Sequence, residues 1–567
     1  MSTYFITSAL PYVNNVPHLG NIVGSTLSAD VYSRHLRELG HDVLYLCGSD
    51  QYGTATEIQA KQEKVTCKEL CDKYHQLHKK VYDWFNIKFD VWGQTTTDTQ
   101  TELTQGIFKQ LYDNGHISEK EITEIYCSHC KLFLADRYLK GVCYHDKCKN
   151  KSIVTNGDQC DNCCNLIDIN KLENKQCSVC NNIPDSVNSK HFYFALQNFK
   201  DKLKNYFIDH EKSKNEEEQD DNKCVLSEVA LNITTDWLNK DLHERCITRS
   251  IKWGTPINKE FTTYNDKVFY VWFDAPIGYL SILKHNRDDW QKWLTGKIVQ
   301  FMAKDNVPFH TIMYPATLMG CDYKCLPSGI QATNYLLYEN QKFSKSKNIG
   351  IFGNQMEEIC NKLDINEDCF RYYLMKIRPE TDDSSFNWIQ FISVINEELI
   401  GKIGNYLNRV LSVINKKYNY GHINYSFENN EQFTLRLYVS SYLTNMKLCK
   451  FRNAINDILE IVNHANKYFQ DNKPWTKDYE DNAHNINILG NSLFLAYVIF
   501  KMLYPFIPRT AERILNKFKY KQDIFQYLYM SYVIGFDMTD YKLPFTSKLA
   551  HCKYDNISGE LKKLNII

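Results

Sequence analysis

Two stretches of the chain carry residues suited to phosphate chemistry. The first, Pro17-His18-Leu19-Gly20-Asn21, comes after Tyr4-Phe5-Ile6-Thr7, a β-branched and aromatic run that reads as a short buried strand. Beyond it Ile22, Ala29, Tyr32, Leu36 and Leu39 share one face at helical spacing, with Gly40 as the stop. A strand, a Pro/Asn loop and a helix in succession aim backbone N–H groups and a helix N-terminus above a sheet, where a phosphate is the natural guest. His18 stands at the helix entrance, where it could donate to a phosphate oxygen, and Gly20 permits close approach of backbone and ligand. The pattern is neither G-x-G-x-x-G nor a P-loop, and an ordinary strand–helix turn with a surface histidine would look the same. The second stretch is Lys342-Phe343-Ser344-Lys345-Ser346-Lys347-Asn348, followed by Gly350. Lysines among serines make a mobile loop that could close over polyphosphate, although such a run on its own is more often a solvated charge run.

Cysteines supply a third chemistry. The chain has 20, and residues 127 to 180 hold nearly half of them in paired spacings, which argues for metal in a reducing compartment over a disulfide scaffold. Cys160-x-x-Cys163 and Cys177-x-x-Cys180 form C-x2-C-x13-C-x2-C, a spacing expected of one tetrahedral zinc site. Cys127-x-x-Cys130 with Cys143 suggests another, completed by either Cys148 or His145 unless that zinc is lost. Four sulfurs leave no open position, so any Zn2+ here is structural. Cys164 is spare.

Several elements must hold these groups. Asp42-Val43-Leu44-Tyr45-Leu46-Cys47 reads as a second buried strand, and Asp50 just past it would point into the crevice at the strand ends. Val268 to Phe273 reads as a further strand, and Gln300 to His310 as a strand running into a helix start. From about residue 396 the pattern is wholly helical, with Val394, Leu399, Ile403, Leu407, Val410 and Leu411 forming a stripe and segments near 432–470 and 486–518 continuing it. Formal net charge is zero, so a nucleic-acid surface must be a local patch. Met1 to Phe5 show no basic-then-apolar secretory signal, and Ile488 to Pro508, interrupted by Asn491, Lys501 and Pro505, reads as a buried helix, not a membrane span. The acidic run within Ser213–Asn222 reads as a solvated loop.

Together, P-H-L-G-N and K-F-S-K-S resemble the two signatures of class I aminoacyl-tRNA synthetases. Ala9-Leu10-Pro11-Tyr12, the run Cys47 to Glu57 and the run Val271 to Tyr279 are similar to methionyl-tRNA synthetases, and the resemblance extends from residue 3 to about 480. Met302 to Asn306, and Asn21 where many class I enzymes have a second histidine, resemble the cytosolic eukaryotic branch. The resemblance implies an α/β fold: a Rossmann-like, doubly wound parallel catalytic domain in two halves (1–115 and 245–330) and a zinc-knuckle connective insertion (116–244). It further implies a KFSKS-loop linking region (331–395), an all-α helix-bundle anticodon-binding domain (396–545) and a tail (546–567). It assigns methionine to Leu10, Tyr12, Asp50, Trp272, Ala275, Pro276, Tyr279 and His310. ATP and catalysis fall to His18, Gly20, Asn21, Lys304, Asp305, Lys342 and Lys345, and anticodon reading to Asn405, Arg409 and Trp475. Arg249 is a candidate for polar support of the site or a surface salt bridge. Gln51 departs from the family, which commonly has Glu there. The implied partners are methionine, ATP with Mg2+, and methionine tRNA, initiator and elongator, for a cytoplasmic monomer away from any membrane, with one or two structural Zn2+. Another class I synthetase would share the first two stretches but lack the Trp272–Tyr279 pocket. A non-enzymatic zinc-knuckle RNA-binding protein would explain the cysteines but not the two phosphate loops.

Overall fold

The computed structural model describes residues 1–134, 138–149, 152–157, 160, 162–163, 167–209, 224–344, 349–417, 423–425, 429–476, 483–518, 532–534 and 536. Lys345, the acidic run within 213–222, Cys164 and the tail 546–567 lie outside the described residues.

A six-stranded parallel sheet forms the centre. Its strands are β1 (Thr3–Ser8), β2 (Asp42–Ser49), β3 (Val91–Gln94), β4 (Val225–Leu226), β5 (Lys297–Ala303) and β6 (Gly329–Thr333), in the order β4-β6-β5-β1-β2-β3. β1 pairs with β2 on one side, Thr7 opposite Leu46, and with β5 on the other, Ser8 opposite Phe301. The order therefore reverses beside β1, and such a reversal opens a crevice at the carboxyl ends of the strands. Phe5, Ile6, Leu44, Tyr45, Leu46, Ile298, Phe301 and Met302 are buried on both faces, as strands covered by helices on either side require. Val268 to Phe273 departs from its expected strand. Only Val268–Phe269 is extended, paired with Thr248–Arg249 outside the main sheet, and the chain then coils into a short helix, Val271–Asp274. A run of apolar residues does not by itself separate a buried strand from a buried helical turn.

Past β1 the chain becomes helical at Leu19–Asn21, passes through a π turn at Ile22–Leu27 and continues as Ser28–Glu38, together called α1. Gly40, at φ +78°, lets the chain reverse into β2, with its N–H on the Arg37 carbonyl. Val225–Leu226, inside the expected 116–244 insertion, lies in the central sheet, whereas the cysteine-bearing segment leaves and returns through a long antiparallel pair, Ile117–Cys127 against Asp185–Phe194, with Tyr126 opposite Asp185. Between them lies a small three-stranded sheet in which Leu139–Val142 is flanked by Val154–Asn156 and Glu173–Cys177.

The C-terminal part packs helices Asn405–Lys417, Asn429–Lys447, Phe451–Asn472, Ala483–Leu503 and Pro508–Leu515. It is not wholly helical, because Ile423–Tyr425 and Tyr532–Ile534 pair as a short antiparallel ribbon. His484–Leu503 is long and apolar enough to cross a membrane by length and composition, but it is the buried centre of the bundle.

A buried ionic cluster fastens the bundle to α1. Asp30 accepts from Arg34 Nε at 2.8 Å and from Arg371 Nη2 at 2.7 Å. Arg371, wholly buried, also donates to the carbonyls of Phe85, Pro505 and Phe506, so one guanidinium ties the catalytic domain to the corner between two bundle helices. Burial pushes the Asp30 carboxyl up, but the Arg34 and Arg371 guanidiniums outweigh it and hold it below its ordinary value. Its contribution to stability is therefore full above the ordinary carboxylate pKa and is lost as pH falls through the lower folded value. Asp30→Asn leaves both guanidiniums short of their shared partner and is expected to cost about 3–5 kcal/mol. Denaturant unfolding across pH should show that loss at neutral pH and a shallower decline in acid than in the parent chain.

Candidate active site

The loops after β1, β2 and β5 meet over the crevice. Leu10, Tyr12, Asp50, Trp272, Ala275, Pro276, Tyr279 and His310 line a single pocket there, so all eight residues assigned to methionine come together. Ala9, Asn306 and Phe309 also line it and were missed. Their signal was weak: Phe309 reads as a core aromatic, yet its ring sits 4.3 Å from that of Trp272. The Trp272 indole N–H donates to Tyr12 Oη at 3.1 Å. His310 Nδ1 lies 2.8 Å from the Asn306 carbonyl, which can only accept, so the ring proton is on Nδ1 and Nε2 accepts from Tyr279 Oη at 2.8 Å. Burial lowers His310 to about 4, which keeps that ring neutral.

Asp50 is the one carboxylate lining this pocket. Its residue is 3% exposed, and among the described residues its Oδ1 has no hydrogen-bond partner. Burial, and then the charge of nearby Asp274, push its carboxyl well above the usual range. A buried acceptor left unpaired costs about 1–3 kcal/mol, more for a charged group, so the pocket is built to receive a cation or donor. Gln51 beside it is also buried. Its Nε2 donates to Ser49 Oγ at 3.0 Å and Gln94 Oε1 at 3.3 Å, and its Oε1 accepts from Thr96. A glutamate there would place an acceptor where this chain needs a donor and add a charge beside Asp50.

The two phosphate stretches, more than three hundred residues apart, touch. Asn21 N–H donates to His18 Nδ1 at 3.3 Å, and Asn21 Oδ1 accepts from His18 N–H at 3.1 Å. Asn21 thus holds the histidine by a reciprocal cap. Burial lowers His18 to about 4, so the neutral ring carries its proton on Nε2, as a donor. Phe343 stacks on His18 with centroids 4.3 Å apart and planes 3° from parallel. Leu19 N–H reaches the Ile351 carbonyl and Gly353 N–H the Pro17 carbonyl, which bonds the two stretches through their backbones. Gly350 makes the stack possible: it sits at φ +121°, and a Cβ there would lie 2.2 Å from the Phe343 ring. Ser344 and Ile349 exchange two hydrogen bonds at 2.9 Å and so close the base of the lysine loop.

At the end of β5, Lys304 Nζ bonds Asp383 at 2.9 Å and lies 4.1 Å from the centre of the Tyr335 ring, whose hydroxyl donates to both Asp305 oxygens. Lys342 Nζ lies over the same ring at 5.8 Å. Tyr335 and Asp383, which no motif singled out, are therefore the organisers of this corner. Arg249 lies over the ring of Tyr270 at 3.5 Å, and Tyr270 leans on Trp272 at 5.2 Å. In the bundle, Arg409 spans the rings of Phe469 and Trp475 at 5.3 and 5.4 Å and donates to Gln470 Oε1 at 2.7 Å. Trp475 is 37% exposed, and Asn405 is exposed one turn before Arg409.

All eight cysteines assigned to metal gather in two four-sulfur clusters, but their pairing differs from the spacing-based expectation. Cys127 and Cys130 join Cys177 and Cys180, whereas Cys143 and Cys148 join Cys160 and Cys163, so the sulfur that completes the Cys143 cluster is that of Cys148, and His145 lies outside it. The antiparallel pair of Ile117–Cys127 with Asp185–Phe194 explains the nesting: it brings the first and last knuckles together and leaves the inner four to each other. Sulfur separations of 3.5, 3.7 and 3.9 Å are far beyond a disulfide and match the roughly 3.8 Å between ligands of tetrahedral zinc. A Cys130 N–H on Cys127 Sγ and the Asn162 amide on Cys148 Sγ would support thiolate charge.

A parallel sheet with its reversal beside β1, a capped histidine at the first strand–helix turn and Phe343 stacked on that histidine are the frame of a class I aminoacyl-tRNA synthetase. Residues 4–411 match the family model described as "tRNA synthetases class I (M)", and residues 424–530 match the anticodon binding domain of methionyl tRNA ligase. The chain belongs to the methionyl-tRNA synthetase family. It is 45% identical over 524 residues to the methionine–tRNA ligase of Acanthamoeba polyphaga mimivirus, covering 91% of this chain and 92% of that one. It is 42% identical to the cytoplasmic enzyme of Arabidopsis thaliana and 40% identical to that of Homo sapiens, of which it spans 64% and 56%. The methionyl-tRNA synthetase of Mycobacterium tuberculosis, solved with methionyl-adenylate, shares the fold at TM-score 0.75 and 20% identity, over 96% of this chain and all of that one.

The nested clusters make a metal-content experiment decisive between the two pairings. Cys127→Ser and Cys177→Ser should each remove the same zinc, and combining them should remove no more. Combining Cys177→Ser with Cys160→Ser should remove both zincs. Plasma mass spectrometry of the purified variants checks this, and the spacing-based pairing would reverse the two results.

Proposed function

We infer that this chain activates methionine with ATP to methionyl-adenylate and pyrophosphate, then transfers the methionyl group to the 3′ end of methionine tRNA. The observation that carries the reading is the pocket itself: a buried carboxylate with an unpartnered oxygen, walled by aromatic rings. Asp50 takes the methionine ammonium. Tyr12, Trp272, Tyr279 and His310 surround the side chain, and aromatic edges contact a thioether favourably, by about 0.3–1.5 kcal/mol. Leu10, Ala275 and Pro276 complete an apolar wall. The methionine carboxylate oxygen attacks the α-phosphorus, the α–β anhydride bond breaks and pyrophosphate leaves. The attacking group is already ionised, so the protein supplies position and charge stabilisation and no base.

His18 donates through Nε2 to a phosphate oxygen while Asn21 holds the ring and Gly20 keeps the approach open. Lys342 and Lys345 stabilise charge growing on the leaving phosphates as the loop closes over them. Lys304 and Asp305 face the nucleotide. Mg2+ bound with ATP would supply charge neutralisation on its phosphates. The 2′-hydroxyl of the terminal adenosine, the usual acceptor in this class, then attacks the methionyl carbonyl, the acyl–phosphate bond breaks, and AMP leaves as the hydroxyl gives up its proton. Asn405, Arg409 and Trp475 read the anticodon, where stacking on an aromatic ring contributes about 1–3 kcal/mol per base. Zn2+ at the two cysteine clusters is structural. The acceptors are initiator and elongator methionine tRNA, and the enzyme acts as a cytoplasmic monomer. Relatives named cytoplasmic and the reduced state that zinc thiolates require support that location.

Methionine-dependent ATP–pyrophosphate exchange, with isoleucine, valine, leucine and cysteine as controls, tests the reading. Exchange with methionine alone is expected, exchange with another amino acid discards the pocket assignment, and none with any of them discards the activity. In the same assay Lys345→Ala should cut the rate of adenylate formation by about a hundredfold or more while leaving the methionine KM near its parent value.

A further inference from the structure

The insertion that carries the cysteine clusters is joined to the methionine pocket by one buried glutamate. Glu57 lies in the first turns of helix Thr54–Glu63 and is 6% exposed. Both of its carboxylate oxygens are engaged. Oε1 accepts the backbone N–H groups of Lys252 at 3.1 Å and Trp253 at 2.8 Å, and Oε2 accepts from Tyr138 Oη at 2.9 Å. Lys61 Nζ donates to the same Tyr138 hydroxyl at 3.2 Å, which leaves that hydroxyl's proton to Glu57. On the knuckle side, the Tyr138 carbonyl accepts from Ser178 N–H at 2.8 Å, and Ser178 lies inside the Cys177–Cys180 turn. On the pocket side, the Trp253 indole N–H donates to the Gln51 carbonyl at 2.6 Å, and Gln51 follows Asp50 directly. Gly53 N–H returns a bond to the Trp253 carbonyl at 3.2 Å.

We propose that Glu57 is a positioning residue that transmits the placement of the outer cysteine knuckle, through Tyr138 on one side and Trp253 on the other, to the backbone beside Asp50. This rests on the reading that Asp50 holds the methionine ammonium. Glu57 touches no substrate. Its oxygens fix where the 252–253 loop sits, that loop fixes the Gln51 carbonyl, and the carbonyl fixes the strand end from which Asp50 projects. Loss of the link should loosen the amino-acid side of the site and spare the phosphate side, because His18 is held by separate contacts with Asn21 and Phe343. The bonds made by the Glu57 carboxylate, the Tyr138 hydroxyl and the Trp253 indole can each be cut by a side-chain change, whereas the Tyr138–Ser178 link is main chain.

Methionine and ATP KM values in pyrophosphate exchange test the proposal on the full chain, with bound zinc measured in each preparation. Glu57→Ala is expected to raise the methionine KM by about tenfold or more, the effect of at least one lost charged hydrogen bond, with the ATP KM and zinc content unchanged. Tyr138→Phe, which deletes one donor and little volume, should raise it by less, and Trp253→Phe, which deletes one donor and also trims the ring packed on Tyr52, should raise it too. Glu57→Gln, which keeps one acceptor, should recover part of the loss. The Glu57→Ala/Tyr138→Phe double variant should match Glu57→Ala alone, since both act on one path. If Glu57→Ala does not fold, the two single-donor variants carry the test. A methionine KM within twofold of the parent in all variants, or an equal rise in both KM values, would overturn the proposal. Absence of exchange in the parent chain would instead remove the functional reading on which it rests.

Discussion

A buried carboxylate oxygen left without a hydrogen-bond partner is costly, and the active-site half of this molecule is arranged around one. Asp50 sits at the end of β2 with an oxygen that no described group satisfies, inside a pocket whose other walls are rings and small apolar side chains. Asp274, pushed up to about 7 by its burial, lies near enough to raise Asp50 further. Such an arrangement persists only if the surrounding structure over-determines it. Here β1, β2 and the turn at Val271–Ile277 do so: Tyr12 bridges to Asp50 along the backbone, Asp50 N–H bonds the Pro11 carbonyl, and Tyr12 meets Trp272.

The phosphate side is built on a different device. His18 is fixed by Asn21 below and Phe343 above, so a ring from the lysine stretch forms part of the wall of the stretch that precedes α1. The seating of Phe343 and the placement of His18 are thus coupled, since each ring forms a wall for the other. From α1 the ionic cluster at Asp30 and Arg371 runs on to the bundle corner at Pro505–Phe506, so the helix that starts at the phosphate site also carries the anticodon-side domain.

Much of this was legible in the sequence, for local reasons. β1, β2, β5 and the helix faces follow from short-range periodicity, and the eight pocket residues follow from motif resemblance even though they come from four separate segments. Long-range pairing was not legible. C-x2-C-x13-C-x2-C is a good zinc spacing, yet the strand pair flanking the insertion overrules it and nests one cluster within the other. Tyr335, Asp383 and Glu57 escaped for the same reason, since each acts through partners distant in the chain. Val268 to Phe273 misled because an apolar aromatic run fits a strand and a buried helical turn equally well, and the helix Val271–Asp274 is what turns Trp272 into the pocket lining.

The central claim is that the unpartnered Asp50 oxygen exists to receive an ammonium group. Calorimetric binding of methionine against its desamino analogue, 4-(methylthio)butanoate, to the zinc-loaded chain tests it most directly. The two share thioether and carboxylate and differ only in the amine. Weaker binding of the analogue by about a hundredfold or more, consistent with a charged hydrogen bond of about 1.5–3 kcal/mol plus a carboxylate left unpaired, is expected. Equal binding of the two would contradict the account, because it would leave the unpartnered Asp50 oxygen with no role in recognition.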